Sequence, residues 1–499
     1  MPHRFPSVFL ALGFCLVAAA CNASTIPATE ESRPSGAAKL WSADEIRGDL
    51  DSLYAQLRSS HYDLFARRAR SEYDAEFKRM RGAIDKPLPL AEVSKFYQLF
   101  VAYGNIAHAR IDPPAEAWEA FRQAGGKAFP LYMRVVGGKA YLGDDYSGVP
   151  GLVQGQEVLE VDGVPVMQWL ARMRAHVSGD NDYMGYTQLE TQLPLLAWEE
   201  LGEVPQFQVQ VRTSEGKSMV LTVPARDRAG FDAAQARWPA RFELDWNQRQ
   251  ATMLKGGLAY LRPGPFYDNR PEAAHPWDPT SFQAFLDASF EDFLEHHAKA
   301  LLIDLRDNPG GDNSFSDPMI AWFADKPFHF SEAFDIKISA AAIESNRKRL
   351  QDTAGNQDST SAQLAAAYAG KPLGSRVSFP IPLVSPRPAP RFTAPVYLLV
   401  NRHSYSNTVL VAAIAQDYDF GKVLGEETAD LASTYGALEK FTLPRTGIEV
   451  SFPKARILRP SGDPQARGVI PDIAISTPLT ANRDDLVLEK AKEIILGLQ

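Results

Sequence analysis

Two apolar runs far apart in the chain constrain its fold most: "ALLIDLRDNPGG" at 300–311 and "APVYLLVN" at 394–401. Each is a short, continuous block of aliphatic residues without polar alternation, the pattern of a strand buried on both faces. Each then passes straight into polar or glycine-rich residues. Before, between and after them the period changes. "SFQAFLDASFEDFLEHHAK" at 281–299 is amphipathic at helical spacing, "PMIAWFAD" reads as helix, and a further helix is predicted from about Thr408. Strand, helix and strand in this order predict βαβ units and a mostly parallel central sheet over 245–490. In such sheets reactive groups sit just beyond the carboxyl ends of the strands. Asn308 to Ser314 and Arg402 to Ser406 fall there.

A chain of 499 residues is too long for one hydrophobic core. Residues 42–124 read as a helical domain. "ADEIRGDLDSLYAQLRSSH" brings Ile46, Leu50, Leu53, Tyr54 and Leu57 to one face, and Ser42 with Glu45 forms a capping box. "LAEVSKFYQLFVAYGNIAHARID" predicts a second apolar helix ending near Gly104, with His108 in an extended stretch after it. Residues 128–225 change to short strands with turns at Gly137-Gly138 and Asp162-Gly163. The fold class expected is multidomain α/β: a helical N-terminal domain, a β-rich domain and an α/β core.

The first 21 residues, "MPHRFPSVFLALGFCLVAAAC", are an export signal by pattern, with one arginine and then an apolar run. The ending "LVAAAC" resembles a bacterial lipoprotein signal with Cys21 as the lipidated residue; the other reading is cleavage near Ala20 and release as a secreted soluble protein. Residues 22–41 are a polar tether. The cysteines are Cys15 and Cys21, both in the signal, so the mature domains hold no disulfide and no cysteine-based metal site. The net charge of −9, without a basic tract, argues against nucleic acid. There is no HExxH, and "NPGGDNS" lacks the lysine of a phosphate loop, so no metal or cofactor is expected.

The element "GQEVLEVDGVPV" at 155–166 resembles a PDZ-type peptide-binding domain. "LLIDLRDNPGGDNS", "YLLVNRHSYSNTVLVAAIA", "GKVLGEET" and "ARGVIPDI" together resemble the C-terminal-processing and tricorn-like serine peptidases, the tail-specific protease superfamily, over about residues 43–490. That resemblance implies Ser406 as nucleophile at the start of the helix after the second strand, with Ser404 structural. It implies an oxyanion hole from the Gly310 or Gly311 N–H with an amide near Ser406. Asp304 and Arg306 pair at the strand end. A serine needs a base. One branch uses a lysine, but Lys422 comes too early and Lys440 too late. The tricorn-like branch uses a histidine before the PDZ-like domain, and His108 matches that position; His403 competes by its nearness to Ser406. Tricorn-like relatives place a glutamate before the "GVIPD" element; Gln465 stands here, with Glu427 and Asp430 as substitutes for the orienting acid.

The expected function is hydrolysis of polypeptides by an exported serine peptidase in the cell envelope, lipid-anchored on the periplasmic side. The alternative is a catalytically weak or inactive envelope protein that binds peptides through the PDZ-like domain. A histidine base predicts activity rising through about pH 6–7. The PDZ-like segment is expected to be removable without loss of serine reactivity. For the anchor, Cys21→Ala should move the protein from the membrane fraction to the soluble fraction, read by fractionation and N-terminal mass; a soluble wild-type protein beginning elsewhere would end that reading.

Overall fold

The computed structural model describes residues 39–497, apart from 271, 274 and 353–358. The export signal, Cys21 and most of the tether lie outside the described residues.

Helix α1 (Ala43–Ser60) begins at the expected capping box. Ser42 Oγ accepts the Glu45 N–H at 3.3 Å, and Glu45 accepts the Ser42 N–H at 2.9 Å. Its buried face meets α2 (Arg70–Ala83) and α3 (Leu90–Ala102) in one apolar cluster. Sequence reading omits α2, whose buried residues are Tyr73 and Met80, too few to set a period. After α3 the chain turns instead of extending: Asn105 takes a positive φ of 52° and the Ala109 N–H donates to Ile106 O at 2.9 Å. His108 sits in that turn.

The next unit is an antiparallel sheet in the order β1 (Leu131–Val136), β2 (Lys139–Asp145), β3 (Glu157–Val161), β4 (Gln206–Arg212) and β5 (Ser218–Pro224). Helices α4 (Val166–Arg174) and α5 (Asp182–Leu201) cover it. Sequence reading places no helix at α5, because Pro194 lies inside it and apolar residues occur on several sides. Asn181 Oδ1 caps it by accepting the Met184 N–H at 2.8 Å, and Leu189, Leu193 and Leu196 pack with Phe129, Trp169 and Val209.

The core contains a six-stranded sheet. It starts with β6 (Gln250–Leu254), β7 (Leu258–Arg262), α6 (Thr280–Glu295), β8 (Ala300–Asp304) and α7 (Asn313–Ala321). Strands β9 (Ala333–Lys337) and β10 (Arg376–Ser378) leave this sheet, and β11 (Val396–Val400), α8 (Asn407–Asp417) and β12 (Lys422–Gly425) return to it. Then β13 (Thr434–Thr442) and β14 (Glu449–Leu458) join β9 and β10 in a second sheet, and β15 (Ile473–Ala474) and α9 (Leu486–Leu496) close the chain. The central order is β15-β12-β11-β8-β7-β6, parallel except for β6. Alternation within the two apolar runs explains why both faces are covered. Leu301, Ile303, Leu398 and Val400 face α6, α7 and α8, while Leu302 and Leu399 face α9. Each fully buried side chain of this kind contributes about 1.5–3 kcal/mol, so burial rather than ion pairing holds the layers together. Phe441, Val450 and Phe452 of the second sheet pack against the helical unit.

Where α3 meets α5, the Glu199 carboxyl is buried without a hydrogen-bond partner, and Lys95 Nζ donates to the Glu199 backbone oxygen at 2.8 Å. Burial pushes Glu199 up to about 7. The folded state therefore holds this proton more tightly than the unfolded chain, and its contribution to stability is lost as pH rises from the ordinary carboxylate range through about 7. Glu199→Gln should gain stability relative to wild type between about pH 5 and about pH 8, measured by thermal unfolding; a pH-independent difference would contradict the burial argument.

Candidate active site

The two sheet-end turns lock onto each other. The Tyr405 N–H donates to Asn308 O at 3.0 Å, Ser404 Oγ donates to Leu305 O at 2.8 Å, and Asn401 Nδ2 donates to Asp307 Oδ1 at 2.7 Å. Ser404 is buried and spent on this lock, so its role is structural. Asp304 and Arg306 are structural as well. Arg306 donates to both Asp304 oxygens at 2.9 and 2.7 Å and reaches on to Asp485 at the start of α9.

Ser406 is different. It stands at the N-cap of α8 with φ 55° and ψ −124°, and its side chain makes no capping hydrogen bond. Its own N–H donates to Asp430 Oδ2 at 2.6 Å. A serine that merely capped the helix would have extended backbone and a bonded hydroxyl. Positive φ at a non-glycine residue marks a site held by its surroundings.

Gly310 and Gly311 lie beneath it. A Cβ on Gly310 would come within 2.6 Å of Tyr405 O and 2.8 Å of Asn407 N; one on Gly311 would come within 2.1 Å of Phe266 O. The Gly310 N–H donates to Asn308 Oδ1 at 2.9 Å, so Gly310 serves by letting the two turns approach, not as an oxyanion donor. No hydrogen bond among the described residues uses the Gly311 N–H. The Asn407 N–H opens α8, where first-turn amides lack helical partners.

Ser406, His108, Gly311 and Asn407 line one cavity of about 820 Å³. His108 is buried, its ring centroid is 5.9 Å from that of Tyr405, and Nδ1 has no hydrogen-bond partner. Burial, with the Arg110 charge, lowers it to about 4 against a bond to the Tyr435 backbone. No hydrogen bond joins His108 to Ser406. His403 does not line the cavity; its Nε2 lies 3.4 Å from Glu190. Burial opposes its charged form, yet the Glu190 carboxylate prevails and raises it.

The expected acids are not at the histidine. Gln465 is exposed on the loop before Val469, and its N–H donates to Asp463 at 3.0 Å. Glu427 offers its backbone oxygen to Tyr183 at 2.9 Å and does not line the cavity. Lys440 pairs with Glu449 at the surface, and the buried Lys454 is bonded to Glu439. Sequence reading missed Asp180, whose Oδ2 accepts the N–H of Ala107 at 3.1 Å, and Glu190, 2.7 Å from Arg402. Both come from the PDZ-like segment, and nothing in the local sequence distinguishes them from ordinary helix-end and helix-face acids.

Residues 278–475, which contain Ser406 and the glycine turn, match the model of peptidase family S41. This stretch is a peptidase family S41 domain, and it supports a serine-type peptidase of the tail-specific protease superfamily. No curated protein sequence matches it. The S41 fold extends beyond the matched residues. A structure of mature CPAF complexed with lactacystin superposes at a TM-score of 0.61 and 15% identity, covering 91% of this chain and 98% of that one. A structure of mature CPAF alone gives 0.59 at 15% identity, over 87% and 92%.

Gly310→Ala should cost at least ~100-fold in turnover, because the added carbon would collide with Tyr405 O, the Asn407 amide and Ser406 Cβ and displace that turn. Gly82→Ala, whose Cβ meets nothing within 4 Å, is the control and should leave turnover unchanged. Equal turnover in the two variants would show that the close approach is not needed.

Proposed function

We propose that the chain is an exported, lipid-anchored peptidase that cleaves polypeptides with Ser406 as nucleophile and His108 as general base. The observation that carries this reading is the shared cavity: Ser406 at positive φ, His108 with an unpaired ring nitrogen, and the Gly311 amide all line it. Ser406 Oγ attacks the scissile carbonyl carbon while His108 takes its proton. The carbonyl oxygen becomes an oxyanion received by the Gly311 and Asn407 N–H groups. His108 returns the proton to the leaving amine, and water then cleaves the acyl-enzyme with His108 again as base. The catalytic hydrogen bond forms in the substrate complex, as it often does only there. Neither Gln465 nor Glu427 orients the base.

The cavity lining also includes the apolar Phe330, Phe334, Phe379, Leu410 and Ile457, which suits an apolar substrate side chain. An extended segment or C-terminus of the polypeptide would engage the unit at 128–225 by strand addition. Cys21 would carry the lipid on the periplasmic side.

Burial changes the expected pH profile. A base lowered to about 4 is neutral well below neutrality, so the limb due to His108 lies near 4 rather than 6–7. Ser406→Ala and His108→Ala should each lower peptide turnover at least ~100-fold, and the double variant little further. His403→Ala and Lys440→Ala should change it far less. Steady-state kinetics and labelling by a fluorophosphonate probe check this. Normal turnover in His108→Ala would reassign the base.

A further inference from the structure

We propose that Asp430 and Asp180 are positioning residues of the dyad: Asp430 fixes the backbone of Ser406, and Asp180 fixes the turn that carries His108. The proposal rests on the Ser406–His108 reading above. Both carboxylates are buried, and neither lines the cavity. Asp430 uses its two oxygens on two different amides. Oδ2 accepts the Ser406 N–H at 2.6 Å and Oδ1 accepts the Leu431 N–H at 2.8 Å. Asp180 likewise accepts the Ala107 N–H, one residue before His108, at 3.1 Å, and the Arg67 Nε at 3.1 Å. Ala107, Met184, Ala429 and Leu431 pack as one small cluster with Tyr405 against it, so the two braces share a single dry region.

The chemistry asks for a carboxylate at 430. Ionised, it has acceptors for both amides. A proton on one oxygen, or the NH₂ of an asparagine, leaves one amide facing a donor. Burial pushes Asp430 up to about 7 against the two amide bonds, and the Asp180 charge pushes the same way. Asp180 is the charged group that faces it, and Arg67 in turn faces Asp180. Burial also raises Asp180, against the Ala107 amide and Arg67. The Ser406 alignment therefore tightens as pH rises through about 7, well apart from the His108 limb near 4.

The test is the pH dependence of fluorophosphonate labelling in the full chain, with kcat and KM on a peptide, for wild type, Asp430→Asn, Asp180→Asn and Ser406→Ala. At about pH 5 the wild-type Asp430 is protonated and neutral, as asparagine is, so wild type and Asp430→Asn should label alike there; this is also the control for folding. Above neutrality Asp430→Asn should fall behind at least ~10-fold in labelling and kcat at unchanged KM, and lose the limb near 7. Asp180→Asn should lower kcat and move that limb to lower pH. Wild-type-like profiles in both variants, with Ser406 still labelled, would overturn the proposal and leave the dyad standing. A loss equal at all pH values would assign both carboxylates to the fold alone and overturn it too. Labelling that persists in Ser406→Ala would overturn the dyad and the proposal together.

Discussion

The Ser406 backbone is held at a positive φ where β11 passes into α8, and the site is arranged around keeping it there. Such a conformation costs a non-glycine residue about 1–3 kcal/mol. A hydrogen bond to an ionised acceptor contributes about 1.5–3 kcal/mol, so the Asp430 contact alone can offset the strain. The remainder is geometric. Adjacent parallel pairing of β8 and β11 puts their end turns side by side, and Ser404, Tyr405 and Asn401 tie one turn to the other. Gly310 then lets the turns close to a distance no side chain would permit. The result brings Ser406, Gly311 and Asn407 to one cavity whose lining also includes apolar side chains.

Burial sets the electrostatics of this region. His108 goes down to about 4 and Asp430 up to about 7, each chiefly because the charged form loses water. A neutral histidine is what the proposed general base must be at neutral pH, and burial keeps His108 in that form. The same burial makes the carboxylates under Ser406 and beside Ala107 sensitive to their charged neighbours.

The strands that carry the site were legible because β8 and β11 are buried on both faces and read as unbroken apolar runs. Ser406 and the glycine turn were legible because their place at strand ends is fixed by those runs. The helix α5 was not, since Pro194 and its all-round burial erase the helical period. Nor were Asp180 and Glu190, whose partners Ala107 and Arg402 are 73 and 212 positions away. Gln465 was misplaced for the opposite reason: a motif position gave it a role, but its loop carries it to the surface. The PDZ-like segment is also tied to the turns around Ser406. Arg402 pairs with Glu190, Arg134 pairs with Glu426 at 2.6 Å, and Tyr183 holds the Glu427 carbonyl. Removing one partner of a buried pair costs about 3–5 kcal/mol, so excising 128–225 would disturb the serine it was expected to spare.

The role of Ser406 is tested most directly by a crystal structure of the protein after reaction with a fluorophosphonate. Phosphorus should be bonded to Ser406 Oγ, with the phosphonyl oxygen within hydrogen-bond distance, about 2.7–3.1 Å, of the Gly311 and Asn407 amides and the Gly310 amide still on Asn308. Phosphorus on another residue, or a phosphonyl oxygen turned away from both amides, would contradict it.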